Sequence, residues 1–346
     1  MRAVLKPSAA PGVGYRTDVP EPVAGPGTVL LRVEAASLCG TDRELAEWTP
    51  AAQAFALDPP VVLGHEGCGT VLEVGEGVTG IEVGDRVALE SHIICGRCFP
   101  CRTGSAHTCE RTRILGMHID GVFAERVAVP AGLCVVLPEG VGVETAALLE
   151  AAGVGMHAVQ RAGGGVAGGT VLVSGAGPVG LVVAELARVL GAAHVVVVEP
   201  NPYRRDQAAS RGAVALSPGD DVAGTCRDLA GDRGGFDVAV EASGAPGVLG
   251  PLFDALRREA TLVTVGHPSR PAEIDIAAHV NKKGITLRGV FGRRLWDSWE
   301  QLLLLVGSGR LELDWLVTHR LPLDRAQDAI ELLTGDAGKV LLVPDP

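Results

Sequence analysis

The chain has 346 residues, enough for two domains that each bury their own core. Its net charge is −11 with a pI near 5.3, and no basic run interleaves with aromatics. Nucleic acid is therefore set aside as a partner, and anionic membranes are disfavoured. Residues 1–7 lack the apolar core of a signal peptide. The longest uncharged run, 162–184, is glycine-rich strand and turn and not a membrane span, so a cytoplasmic protein is expected.

Hydrophobic residues make up 47% of the chain, aromatics only 3%, and there are 47 glycines, a composition that fits an α/β protein with Val, Ala and Leu cores. Up to about residue 90 the pattern is short β elements, 29–33 and 69–74, then a turn leading into a strand over 80–87. Residues 91–115 form a cysteine-dense loop. Strand pattern returns over 121–137, and 144–161 reads as a helix. Beyond the glycines at 163–165 the texture changes. Apolar strands at 170–174, 194–198, 214–216, 236–240 and 260–265 are separated by helical segments such as 178–190, an alternation that implies a parallel sheet. Residues 295–306 and 324–334 read as helices and 339–343 as a closing strand.

Several short stretches carry chemistry. Cys39 offers a thiolate for zinc, Thr41 a hydroxyl two residues on, and Glu44 a carboxylate after that, so a ligand and a proton relay fit in one segment. His65 and Glu66, flanked by glycines, are further zinc donors. Glu150 is a carboxylate in an otherwise apolar helix; it either meets a cation such as zinc or sits on the helix surface. His157, two turns further on, either lines a pocket or is a hydrogen-bonded core histidine. Cys95, Cys98, Cys101 and Cys109 place four thiols within 15 residues, the pattern of a closed structural zinc site, with an iron–sulfur cluster as the rival. Cys68, Cys134 and Cys226 are isolated and read as small buried hydrophobes.

Gly175, Gly177 and Gly180 form a G-x-G-x-x-G turn directly after one strand and at the start of a helix, the context that makes this motif a dinucleotide loop. The helix N-terminus suits the pyrophosphate. Glu199 ends the next strand, where a carboxylate accepts ribose hydroxyls and repels a 2′-phosphate. NAD is expected over NADP, although Arg204 and Arg205 follow closely.

Taken together, these motifs and the stretches 90–96, 120–125, 289–293 and 317–320 resemble the zinc-dependent medium-chain dehydrogenase/reductase family, most nearly its threonine and polyol dehydrogenases. The resemblance covers nearly the whole chain. It implies a GroES-like irregular β catalytic domain from residues 1–153 and 293–346, around a Rossmann doubly wound parallel-sheet domain at 154–292. It implies a catalytic zinc at Cys39, His65 and Glu66, with Glu150 as a further ligand or neighbour, a structural zinc at the four clustered cysteines, and thus two zinc ions per chain. It places Val179, Glu199, Arg204, Val265, Gly266, His267, Val290 and Phe291 around NAD, His92 near the substrate, and the chain in a homotetramer or homodimer. The expected reaction interconverts a polar secondary alcohol and its ketone, the small-molecule substrate being a polyol, cyclitol or amino alcohol. L-Threonine is an alternative, as is a non-catalytic NAD-binding scaffold. In the relay, Thr41 takes the alcohol proton and passes it through the nicotinamide ribose to Glu44 or water. Two positions depart from the family. Glu44 stands where histidine is usual, and a glutamate titrates near about 4.3 against about 6.5 for histidine. Ala151 and Ala152 stand where a proline is common.

Overall fold

The computed structural model describes residues 1–344. The chain forms two compact units, Met1–Glu150 together with the chain from Glu312 onward, and Ala151–Leu311.

In the first unit, Thr28–Ser37 is the strand on which the rest is assembled. Its buried Val29, Leu31 and Val33 alternate along one face, as a half-buried strand requires. It pairs antiparallel with Glu66–Val74, with Arg126–Pro130 and with the C-terminal strand Lys339–Val343. The register Leu341↔Ser37 and Ser37↔Glu66 brings both ends of the chain to one corner beside Cys39. Leu31, Leu38, Leu45, Leu63, Phe123 and Val340 fill the core beneath. The sequence pattern places no helix before residue 91, whereas the structure has two, Gly40–Glu47 and Pro50–Ala54. Helices of eight and five residues are too short to show a 3.6-residue apolar period. The region 121–137 holds strands Arg126–Pro130 and Cys134–Val136 around a single 3-10 turn.

In the second unit six parallel strands lie in the order Val214–Leu216, His194–Val198, Thr170–Ser174, Phe236–Glu241, Leu256–Thr264, Thr286–Gly289. Numbered along the chain this is 3-2-1-4-5-6, the doubly wound order, with its switch point between Thr170–Ser174 and Phe236–Glu241. Helices Pro178–Val189, Pro202–Ser210, Val222–Ala230 and Leu249–Ala255 form the crossovers. Leu172, Val196, Phe236, Phe253 and Leu262 are fully buried between sheet and helices. Asp237 locks the two central strands at their amino ends. It accepts from the Thr170 amide and hydroxyl (both 2.9 Å) and from Arg257 Nε (2.7 Å). The second unit continues to Leu311, past the expected boundary at 292. The helix Asp297–Gly307 buries Trp299 and Leu302, Ser298 Oγ donates to Gln160 Oε1, and Arg310 donates to the Val189 carbonyl. These contacts hold 293–311 to the Rossmann unit.

Among the described residues no helix is long and apolar enough to cross a membrane.

Candidate active site and metal centres

Cys39, His65 and Glu66 each offer one donor atom, and the three atoms lie within 4.8 Å of one another. Cys39 is the N-cap of the helix Gly40–Glu47. His65 and Glu66 sit where the chain enters the strand Glu66–Val74. Gly64 makes that entry possible: its φ is +95°, and a Cβ there would lie 2.4 Å from the Phe123 ring. Asp42, fully buried, accepts from the Cys39 amide (2.8 Å) with one oxygen and faces His65 Nδ1 at 3.5 Å with the other. A carboxylate behind one ring nitrogen is how proteins orient a metal-binding histidine. Burial works against a charged His65. The Asp42 carboxylate, and then the Cys39 sulfur, outweigh it and hold the imidazole well above 6.5. So much negative charge around a buried ring suits a cation, and the sulfur, nitrogen and oxygen donors are those of zinc. Thr41 Oγ1 lies 3.7 Å from Cys39 Sγ. Glu44 is three residues further along the same helix, on the same face as Thr41.

Lys339 completes this corner from the other end of the chain. Its Nζ donates to Glu66 Oε2 and to the Leu38 carbonyl (3.1 Å), and both partners of the ion pair are buried. Burial lowers a lysine, but Glu66, Cys39 and Glu150 together raise this one above its ordinary value. Glu150, 4% exposed, contributes no oxygen to the group of three; its Oε1 accepts from Ser91 Oγ at 2.6 Å. His92 is buried next to Ser91, its amide donating to Glu90 Oε1.

His157 takes the structural role. It is 1% exposed, its Nδ1 faces the Gly292 carbonyl at 3.0 Å, and its Nε2 accepts from Arg161 Nε. Both ring nitrogens are engaged inside the Rossmann unit, which fits the hydrogen-bonded core histidine of the two alternatives. Glu150 and His157 share a helix, but the helix passes from one unit to the other between them.

The four sulfurs of Cys95, Cys98, Cys101 and Cys109 also lie within 4.8 Å of one another. Backbone amides point at them. Cys98 N donates to Cys95 Sγ (3.4 Å), while Cys95 N and Arg111 N donate to Cys109 Sγ (3.3 and 3.4 Å). The Arg97 and Cys98 amides lower Cys95 to about 6. A loop that stabilises thiolates by its own backbone fits a tetrathiolate zinc site.

In the second unit, Gly175, Gly177 and Gly180 divide the work of the loop. Gly175 has φ +96°, a Cβ on Gly180 would lie 1.9 Å from the Gly175 carbonyl, and nothing lies within 4 Å of where a Gly177 Cβ would point. Gly177 opens instead onto a groove of about 540 Å³ at the carboxyl ends of the strands, shared with Ser174, Glu199, Arg204 and Val248. Glu199 is 5% exposed, and its two oxygens accept from the Ala176 and Asn201 amides (2.7 and 2.9 Å). It braces the glycine loop, a role not visible in its position in the sequence. Arg204 Nε is buried with no hydrogen-bond partner among the described residues, so this wall of the groove has a donor to offer a ligand. Val179 is in the first turn of the helix Pro178–Val189. Val265, Gly266 and His267 follow the strand Leu256–Thr264, and Val290 and Phe291 follow Thr286–Gly289. They are thus at the carboxyl ends of neighbouring strands, outside the lining of this groove.

The alcohol dehydrogenase GroES-like domain matches residues 25–139, and the zinc-binding dehydrogenase domain matches 178–308. Over 100% of its length the chain is 40% identical to L-threonine 3-dehydrogenase of Symbiobacterium thermophilum, covering 98% of that protein. The chain belongs to the zinc-binding dehydrogenase family. Solved structures of zinc-binding and alcohol dehydrogenases share the fold. A putative zinc-binding dehydrogenase from Sinorhizobium meliloti 1021, bound to NADP, is 32% identical with a TM-score of 0.87 over 99% of both chains. An alcohol dehydrogenase from Escherichia coli CFT073, in complex with NADH, is 26% identical with a TM-score of 0.87 over 99% of both chains. As a zinc-binding dehydrogenase the chain is an oxidoreductase.

Three residues of the Cys39 corner escape sequence reasoning. Asp42 has a local signal, since a carboxylate three residues after an N-cap is the capping-box spacing. Lys339 has a weaker one, as one of only four lysines, set in an apolar closing strand. Ser91 has none.

Proposed function

We propose that this zinc-binding dehydrogenase interconverts a polar secondary alcohol and its ketone with NAD(H). The observation that carries the reading is the buried group of Cys39, His65 and Glu66, oriented by Asp42 and balanced by Lys339. Three protein donors with a further position open is the form of a catalytic zinc site, whereas the four cysteines form a closed one. Zinc, when bound, acts as a Lewis acid on the carbinol oxygen, and the nicotinamide accepts the hydride.

The chain's own residues do the rest. Asp42 faces His65 Nδ1 and orients the ring, and Lys339 offsets the charge of Glu66. Thr41 takes the alcohol proton, and Glu44, on the same helix face, is the acid–base group that receives it. Gly177 admits the pyrophosphate to the amino end of the helix Pro178–Val189. Glu199 accepts the adenosine ribose hydroxyls with its remaining lone pairs and disfavours a 2′-phosphate, so NAD is the coenzyme, with Arg204 opposing that preference. The reading includes a cytoplasmic homodimer or homotetramer, the assembly being checked by light scattering.

A second reading, L-threonine as the substrate, has the support of the threonine 3-dehydrogenase that is 40% identical. Glutamate at position 44 favours a polyol, cyclitol or other amino alcohol. One experiment separates them: NADH formation by zinc-loaded protein with threonine, then with a panel of polyols, inositols and amino sugars. Turnover on threonine above all others selects the second reading. No turnover on any alcohol, with zinc content full, overturns both and leaves a non-catalytic scaffold.

A further inference from the structure

We infer that Glu241 is a positioning residue for the coenzyme: its buried carboxylate fixes the loop 242–248 in the shape that walls the groove at Gly177. The inference rests on the reading of that groove as the coenzyme site. Glu241 ends the strand Phe236–Glu241 and is buried, whereas Ser243 and Ala245 just beyond it are exposed. Its Oε1 accepts three hydrogen bonds, from the Ser243 amide (2.7 Å), the Ser243 hydroxyl (2.6 Å) and the Gly244 amide (2.9 Å). The Ser243 hydroxyl accepts in turn from the Ala245 amide (3.1 Å). One carboxylate oxygen thus sets the turn over three successive residues, whose amides are engaged within the loop. What the loop presents to the groove is largely apolar, with Ala242, Ala245, Pro246 and Val248 among the lining residues.

The same residue ties in the loop after the neighbouring strand. Its backbone carbonyl accepts from the Val265 and Gly266 amides (2.8 and 3.0 Å). The two loops then meet backbone to backbone. A Cβ on Gly266 would lie 2.2 Å from the Gly244 nitrogen and 2.6 Å from Glu241 Oε2. One on Gly244, whose φ is +64°, would lie 2.8 Å from the His267 carbonyl oxygen. Glu199 braces the glycine loop in the same way: each glutamate follows or ends a strand paired with Thr170–Ser174 and accepts from the amide two residues on. Hydrogen bonds to an ionised acceptor are about twice as strong as neutral ones, so the carboxylate holds the turn firmly. The loop is open to solvent, and water can take the place of Glu241 as a partner for its amides. Removing the carboxylate therefore releases the loop without unfolding the sheet, and the fraction of molecules with the groove formed falls.

The test compares zinc-loaded wild type with Glu241→Ala, Glu241→Gln and Ser243→Ala. Each is measured for amide hydrogen exchange without coenzyme, for NADH Kd, and for coenzyme KM and kcat. Glu241→Ala is expected to exchange faster over 242–248 and 265–267, with the strand residues 236–240 as protected as in wild type. A loop that keeps its groove shape about a tenth of the time raises the NADH Kd about tenfold, and coenzyme KM rises by more than kcat falls. Glu241→Gln, which keeps an acceptor oxygen, falls between Glu241→Ala and wild type. Should Glu241→Ala fail to fold, the exposed Ser243→Ala replaces it, with faster exchange over 243–245 and a Kd raised about threefold. Unchanged exchange over 242–248, or an unchanged Kd, overturns the inference alone where wild type binds NADH. Faster exchange that extends equally through 170–174 and 236–240 is the mark of a general structural role and also overturns it. Wild type that binds neither NADH nor NADPH overturns the coenzyme reading of the groove and this inference with it.

Discussion

Lys339 and Glu66 form an ion pair whose side chains are 4% and 2% exposed, joining the C-terminal strand to the donor group beside Cys39. Removing one member of such a pair leaves an uncompensated buried charge, whereas the pair itself adds little net stability. Lys339→Met is therefore expected to destabilise the metal-free protein by about 3–5 kcal/mol in urea unfolding. Zinc should recover more of the loss in the variant than it adds to wild type, because the metal then replaces the missing cation beside Glu66. Equal zinc-induced stabilisation in the two proteins would argue against a shared role for Lys339 and the metal.

The glycine loop separates folding from coenzyme binding at two positions. At Gly180 an added Cβ meets the Gly175 carbonyl at 1.9 Å, so Gly180→Ala should cost about 1–3 kcal/mol of stability. At Gly177 an added methyl meets nothing and points into the groove. Gly177→Ala should keep its thermal midpoint while raising the coenzyme Kd about tenfold, or about 1.4 kcal/mol. Calorimetric unfolding and coenzyme titration of both variants check the pair of effects.

Glu44 stands where the family resemblance implies a histidine. Glu44→His supplies a base of the ordinary histidine kind on the same helix face as Thr41. It is expected to raise kcat for alcohol oxidation about tenfold near neutral pH and to introduce a titration near about pH 6.5 into the kcat profile. A Glu44→Gln profile that superimposes on wild type would remove Glu44 from proton transfer.

Asp237 sets an acid limit on stability. Burial alone would raise its carboxyl, but the Arg257 and Thr170 hydrogen bonds outweigh that and hold it below its ordinary value of 3.8. A carboxyl lowered in the folded state contributes stability that is complete above the unfolded value. That contribution is lost as pH falls through the folded one. Thermal midpoints should therefore drop as pH falls below about 4. Asp237→Asn should lose about 1–3 kcal/mol at neutral pH and show a shallower acid slope.

Some of this protein was determined by local sequence alone. The Cys95–Cys109 lobe and the Gly175–Gly180 loop are each encoded within a few turns of chain, where covalent spacing limits how far apart the donors or amides can be. The alternation of apolar strands and helices after residue 165 similarly dictates the parallel sheet, because a parallel pair needs a crossover. Tertiary structure decided the rest. Lys339 reaches Glu66 across 273 residues only because Thr28–Ser37 pairs with both their strands in one register. Ser91 meets Glu150 across 59 residues, through packing that no local period encodes. His157 lies two turns from Glu150 on one helix, yet that helix passes from one unit to the other and its ring is satisfied by Gly292 and Arg161. The domain boundary moved to Leu311 for the same reason: where a helix buries its leucines is settled by which neighbour accepts them, and that choice is not written in the helix.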